Sequence, residues 1–247
     1  EQIKKSPDWS KFAEVDPFNG NLVEGFISHH HGDEYGALFI EKVNGEKVPQ
    51  GILCTPKLSY PFDRAGNWHF PKASSILRYE KLDGTNIFAY KYLDANGKVY
   101  VAYKTRLTPF LKESKFGPFL SMWKEMLGKY PEIPKFVLRH FNMSFELWGA
   151  RNPHLVKYEV PLQASLLFVR RNGEVHPPLD SIDVLSDLYY FPQATLIGSV
   201  DKDYIWNYQQ SQESMNSQLK ETEDGYIGQE GEVWYLRTED NQWQMLK

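Results

Sequence analysis

From residue 34 onward, short apolar runs are repeatedly closed by turn dipeptides. "EYGALFIEKV" runs into Asn44-Gly45, "NIFAYKYL" into Asn96-Gly97 and "ASLLFVRR" into Asn172-Gly173. Asn-Gly between such runs is a strong local hairpin signal, because both residues accept the positive φ of a type I′ turn. The pattern predicts antiparallel sheet. Helical periodicity is rarer: Phe119, Met122, Trp123, Met126 and Leu127 recur at helical spacing, and Gly128 and Pro131 close the run. A second helix is expected over about 181–189, and a third, polar and rich in Gln and Ser, from about Tyr204 to Glu221. Hairpins interleaved with isolated helices, without regular βαβ alternation, predict an α+β fold.

Composition narrows the class. The 247 residues, 41% of them apolar, suffice for a substantial core. Aromatics make up 15%, with seven Trp, and supply flat surfaces for packing or for stacking on bases. The net charge of −4 offers no polycationic coat, so any nucleic-acid surface has to be local. Cys54 is the only cysteine, which rules out an intrachain disulfide and a thiolate zinc cluster and fits a reducing compartment. No run approaches the roughly 18 apolar residues of a membrane span. A soluble protein, cytoplasmic or otherwise intracellular, with no membrane partner and no implied protein partner, is the expectation. No internal repeat or strong linker divides the chain.

The candidate chemistry centres on "RYEKLDGTNIFAY" at 78–90, where Lys81 follows a β-like run and precedes Asp83-Gly84. A lysine is nucleophilic only when neutral, so its placement matters more than its presence. Glycine lets the backbone come close to whatever the lysine holds. Taken alone, Lys-x-Asp-Gly also describes an ordinary hairpin turn with a surface lysine.

"EKLDGTN" resembles the nucleophile motif of the covalent nucleotidyltransferases, the superfamily of ATP-dependent DNA and RNA ligases and mRNA capping enzymes. Thr85 and Asn86 after the glycine look most like the ATP-dependent RNA ligases of the phage type. Further segments follow in family order: "YKTRL" at 103–107, "SFELWGARNPHLVKY" at 144–158, "SLLFVRR" at 165–171 and "EGEVWYL" at 230–236. Together they span about two thirds of the chain. The resemblance implies a nucleotidyltransferase domain of antiparallel sheets flanked by helices, an ATP-grasp-like ligase fold, over residues 71–247. Residues 1–70 carry no assigned motif and are an N-terminal extension or a sheet-completing segment. A C-terminal part beyond these residues is also expected.

The resemblance further implies ATP, with Mg²⁺ or Mn²⁺, and an RNA substrate carrying 5′-phosphate and 3′-hydroxyl ends. Lys81 would attack the α-phosphate, Glu230 would hold the divalent metal, and Lys247 would open the final lysine pair of the family. Only that first lysine falls within this sequence. Glu146 would hold the ribose hydroxyls; its alternative is a solvent-facing strand glutamate. Arg106, with Lys104 adding charge, would clamp phosphate, and Asn86 would contact nucleotide or phosphate unless it caps the turn. Glu80 would read the adenine amino group or be a simple strand-end carboxylate. Phe168 would stack on adenine or belong to the core.

"EDGYI" at 223–227 is a rival frame for the motif built on Glu230. "SHHHGDE" at 28–34 is read as a solvated loop, because three consecutive histidines cannot all face one ion. The basic segments "RLTPFLKESK" and "FVRRNG" are either an RNA-facing patch or ordinary exposed faces. A DNA ligase, a GTP-using capping enzyme and a catalytically silent nucleotide- or RNA-binding module remain the alternatives.

Overall fold

A computed structural model describes residues 8–179, 191–201, 203–205, 219–223 and 225–247. The described residues form β1 (Trp9–Val15), β2 (Leu22–Ser28), β3 (Leu38–Val43), β4 (Glu46–Ile52), β5 (Ser75–Glu80), β6 (Thr85–Leu93), β7 (Val99–Lys104), α1 (Phe119–Lys129), α2 (Glu132–Arg139), β8 (Asn142–Trp148), β9 (Gln163–Arg171), β10 (Glu174–His176), β11 (Leu196–Asp201), β12 (Leu219–Thr222), β13 (Gly225–Gly228), β14 (Glu232–Arg237) and β15 (Trp243–Leu246). The expected α+β balance is therefore corrected toward sheet, with two helices lying wholly within the described residues.

The three Asn-Gly sites all close hairpins, in two geometries. Asn44 and Gly45 (φ 52° and 85°) and Asn172 and Gly173 (φ 51° and 85°) carry the paired positive φ of the type I′ turn. At Asp94–Gly97 only Gly97 is left-handed, at φ 77°, and its N–H donates to the Asp94 carbonyl. α1 falls where the periodicity places it and buries Met122, Trp123 and Met126. α2 was not foreseen. The helix expected at 181–189 lies outside the described residues. The one expected from Tyr204 does not reach Glu221, since Leu219–Thr222 pairs with β13 as a strand; residues 206–218 lie outside the described residues.

β1–β4 form one antiparallel sheet in sequence order, and the other two large sheets run β10-β9-β8-β6-β7 and β11-β5-β14-β15. The five-stranded sheet separates two cores, and β6 shows how. Ile87 and Ala89 point into a core with Met122, Trp123, Phe136 and Val137 of the helices. Phe88, Tyr90 and Tyr92 point the other way, into a core shared with Phe12, Val23 and Ile40 of the first sheet and Tyr79 and Tyr235 of the third. A strand buried on both faces reads as a continuous apolar run because its period-two alternation is never interrupted by solvent. Residues from the first fifty thus pack in the same core as β5 and β14.

On β9 the alternation breaks. The register with β8 slips between Ser144 and Phe145, so that Ser144 faces Phe168 but Phe145 faces Leu166. Leu167 is the extra residue. Leu166 stays in the helix-side core, whereas Phe168, two residues on, lies in the opposite one. A bulge re-aims side chains in this way.

Candidate active site

The cleft lies between the five-stranded sheet and the β11-β5-β14-β15 sheet, with a volume of about 550 Å³. Lys81 enters it at the end of β5. The β5–β14 register sets Glu80 opposite Glu232, and the Lys81 N–H donates to the Gly231 carbonyl at 2.9 Å. This brings the Lys81 amine against Glu230, and the two side chains form a direct ion pair. Both are roughly a quarter exposed, at 27% and 24%, so the pair sits at an accessible wall and not in sealed core. Glu223, of the rival frame, is exposed beside the separate β12–β13 hairpin.

Gly84 has a different role from the one its motif suggests. It does not adopt a left-handed φ. A Cβ there would lie 2.3 Å from the Leu147 carbonyl oxygen, so glycine is needed for the approach of β6 to β8. Asp83 braces a second segment: its carboxylate accepts the Val156 N–H at 2.6 Å, and its own N–H donates to the Tyr158 hydroxyl oxygen at 2.9 Å.

Glu146 projects from β8 toward the cleft, opposite Asn86 on β6. It is not the solvent-facing strand residue of the alternative reading. Burial raises its pKa to about 8, although Lys81, Arg106 and the Gly84 N–H that it accepts all favour the charged form, and Glu230 opposes it. Asn86 is fixed by its amide donors, to Ser144 Oγ at 2.9 Å and the Phe145 carbonyl at 3.0 Å. Its buried Oδ1 has no hydrogen-bond partner. Arg106, just past β7, likewise has a buried Nε without a partner, and burial pulls its pKa down. An unmatched acceptor and an unmatched donor thus line one cleft, where each is costly unless something polar binds.

The remaining candidates are placed as follows. Glu80 lines the cleft, but its carboxylate accepts the Thr195 N–H at 2.9 Å and the Thr195 hydroxyl at 2.6 Å. Phe168 is wholly buried, as the core reading expects, and also forms part of the cleft wall. Lys247 lines the cleft too, its amine 4.8 Å from the centre of the Tyr60 ring.

Lys104 is a correction. It is fully buried and spends its three protons on the carbonyls of Gly36, Thr105 and Arg106, at 2.9–3.0 Å. Burial lowers its pKa, and it offers no charge to a phosphate. Of the second basic segment, Arg170 is turned inward. Arg170 is nearly shut off from solvent, pairs with Asp33 and donates to the Cys54 and Gly173 carbonyls. The three histidines diverge, His29 to Ser10, His30 to Asp8 and His31 to Lys57.

Missed by the sequence reading are Thr55 and Lys57, from the first seventy residues, and His154, all of which line the cleft. Thr55 Oγ1 lies 2.8 Å from Ser144 Oγ, and His154 Nε2 lies 3.2 Å from Thr85 Oγ1. Only the quoted segment at 144–158, which contains His154, carried any signal for it.

The fold is similar to that of solved chains described as ATP-dependent ligases. It matches an archaeal ATP-dependent RNA ligase with a TM-score of 0.56 at 15% identity over 100% of this chain, and a second form of that structure with 0.55 at 16% over 96%. An Aquifex aeolicus chain described as a candidate ATP-dependent DNA ligase matches with 0.54 at 13% over 99%. This chain spans 59%, 58% and 60% of those three chains. No protein-family model and no curated protein matches the sequence.

Proposed function

We propose that this protein is an ATP-dependent RNA ligase acting through a covalent lysyl-AMP. The observation that carries the reading is the convergence on one cleft between two antiparallel sheets of Lys81, ion-paired to Glu230 behind it, with Glu146, Asn86 and Arg106. The order of segments along the chain and the shared fold support it.

In the first step the Lys81 amine attacks the α-phosphorus of ATP. A P–N bond forms, the bond from phosphorus to the bridging oxygen breaks, and pyrophosphate leaves. The amine sheds a proton before it attacks, and Glu230 is the carboxylate in contact to receive it. Glu146 and Asn86 hold the nucleoside, and Arg106 faces phosphate oxygens with a planar fork. Phe168 and the neighbouring apolar wall take the base. AMP then passes to an RNA 5′-phosphate, and an RNA 3′-hydroxyl displaces it, sealing the strand.

Among the described residues, no cluster of three or more His, Cys, Asp or Glu forms a metal cage. A hard carboxylate beside the nucleophile fits Mg²⁺ or Mn²⁺, which keeps several waters and takes its other ligands from nucleotide phosphates, so Glu230 would hold it. When bound, such an ion neutralises charge developing on the phosphoryl oxygens.

Incubation with ATP and Mg²⁺ followed by mass spectrometry is expected to find one AMP on Lys81, and none on Lys81→Ala. A label appearing with GTP and not ATP favours a capping enzyme. Nicked DNA, nicked duplex RNA and single-stranded RNA as substrates distinguish the ligase classes. Nucleotide retained without covalent transfer identifies a silent binding module.

A further inference from the structure

We infer that Thr55, from the first seventy residues, and Ser144 are positioning residues whose hydroxyls fix the Asn86 amide, so that its Oδ1 is held as an acceptor for a hydrogen-bond donor of the nucleotide. That the ligand is a nucleotide rests on the ligase reading; the orientation of the amide does not.

The sheet and a loop bring the three side chains together. β6 and β8 pair Asn86 with Glu146 and Phe88 with Ser144, so Asn86 and Ser144 are diagonal neighbours on one face. Thr55 arrives from three positions past the end of β4. Its backbone is pinned on both flanks: Arg170 Nε donates to the Cys54 carbonyl at 3.1 Å, and the Lys57 N–H donates to the Gly32 carbonyl at 3.0 Å. Thr55 Oγ1 therefore meets Ser144 Oγ at 2.8 Å, in a contact where Thr55 is 4% exposed and Ser144 not at all.

A count of protons then sets the polarity of the amide. The Phe145 carbonyl can only accept, so the amide atom 3.0 Å from it is the nitrogen. The second amide proton goes to Ser144 Oγ at 2.9 Å. Ser144 thus accepts from Asn86, and Thr55 Oγ1 is left to take the proton of the Ser144 hydroxyl. Without that oxygen, the polar partner remaining to the sealed Ser144 hydroxyl among the described residues is the Asn86 amide itself. Its proton then either draws Oδ1 inward, against the Phe145 carbonyl, or stays unmatched, and both are costly for a buried group. With Thr55 in place both amide protons are engaged by the sheet. Oδ1, which has no hydrogen-bond partner, is the atom of this side chain left to meet a ligand at the cleft wall. An acceptor held there is complementary to a ribose hydroxyl or a base amine and disfavours a group that only accepts.

Two measurements on the full chain test this. In the ligand-free protein the Asn86 side-chain amide is followed by proton–nitrogen correlation spectroscopy, its signals assigned by their loss in Asn86→Ala. Thr55→Val and Ser144→Ala are expected to shift both proton signals and to speed their exchange with solvent about tenfold or more, whereas Thr55→Ser keeps the parent pattern. Unchanged amide signals in Thr55→Val, shown by circular dichroism to be folded, overturn the proposal whether or not ATP binds. Calorimetric titration then compares ATP with analogues that each lack one donor, namely 2′-deoxy-ATP, 3′-deoxy-ATP and purine riboside triphosphate. The parent is expected to bind one of them about tenfold more weakly than ATP, and Asn86→Ala and Thr55→Val to lose that discrimination, with Thr55→Ser restoring it. The analogue that responds assigns the donor to a ribose hydroxyl or to the base amine. In the Asn86→Ala background, Thr55→Val should change ATP affinity by less than about twofold. A further loss of about tenfold there means that Thr55 touches the ligand directly and overturns the positioning role. A parent that binds none of these nucleotides defeats the ligase reading, and the amide signals still decide the orientation.

Discussion

Replacing Glu146 by Gln isolates a single half-buried carboxyl whose energetics can be read from the fold. Its pKa rises from 4.5 to about 8, chiefly by burial. Below pH 4.5 the carboxyl is protonated in both folded and unfolded chains and contributes no pH dependence. Between 4.5 and 8 the folded protein keeps a proton that the unfolded chain has released, so stability falls as pH rises across that window. The full difference corresponds to a ceiling of roughly 5 kcal/mol. The side chain is only partly shielded from the cleft solvent, so we expect about 2–3 kcal/mol in practice. Glu146→Gln should therefore match the parent near pH 5 and exceed it at about pH 8.5 by that amount, a gain of about 4–10 °C in melting temperature for a chain of this size. Comparing thermal melts of the two proteins at each pH cancels titrations common to both. A constant difference between them across that whole pH range would refute the raised pKa of Glu146.

Glu230→Gln should reduce lysyl-AMP formation at least ~100-fold, whereas Glu223→Gln should leave it within about twofold, as followed by transfer of α-labelled ATP. Gly84→Ala forces the β6–β8 approach apart and should lower stability by about 2 kcal/mol or more in urea unfolding, with loss of adenylylation to match. Lys104→Met leaves three carbonyls without their shared donor and should cost about 1–3 kcal/mol, with hydrogen exchange rising around Gly36 and Arg106.

What the sequence by itself determined is local or strictly periodic. Asn-Gly pairs carry their turn geometry in their own backbone preferences, α1 carries its buried stripe, β6 carries a continuous apolar run and β8 a period-two alternation; none needs a distant partner to be recognised. The order of the segments from Lys81 to Glu230 was legible for the same reason. The rest depended on which surfaces meet. α2 escaped notice because "EIPKFVLR" is short and holds Pro134, yet a proline in a first turn removes an N–H that has no helical partner. Lys104 and Arg170 look like surface cations until the carbonyls that surround them are known. Gly84 reads as a turn glycine, but the Leu147 carbonyl of a strand far along the chain demands it. Phe168 faces the cleft through a bulge at Leu167 that no residue pattern announces. Lys57, His31 and Arg106 gather around the Tyr35 ring only because a buried amine and a backbone hydrogen bond tie three chain segments together. Tertiary packing decided these, since burial, close backbone approach and strand slippage are properties of pairs of segments and no single stretch of sequence contains both partners.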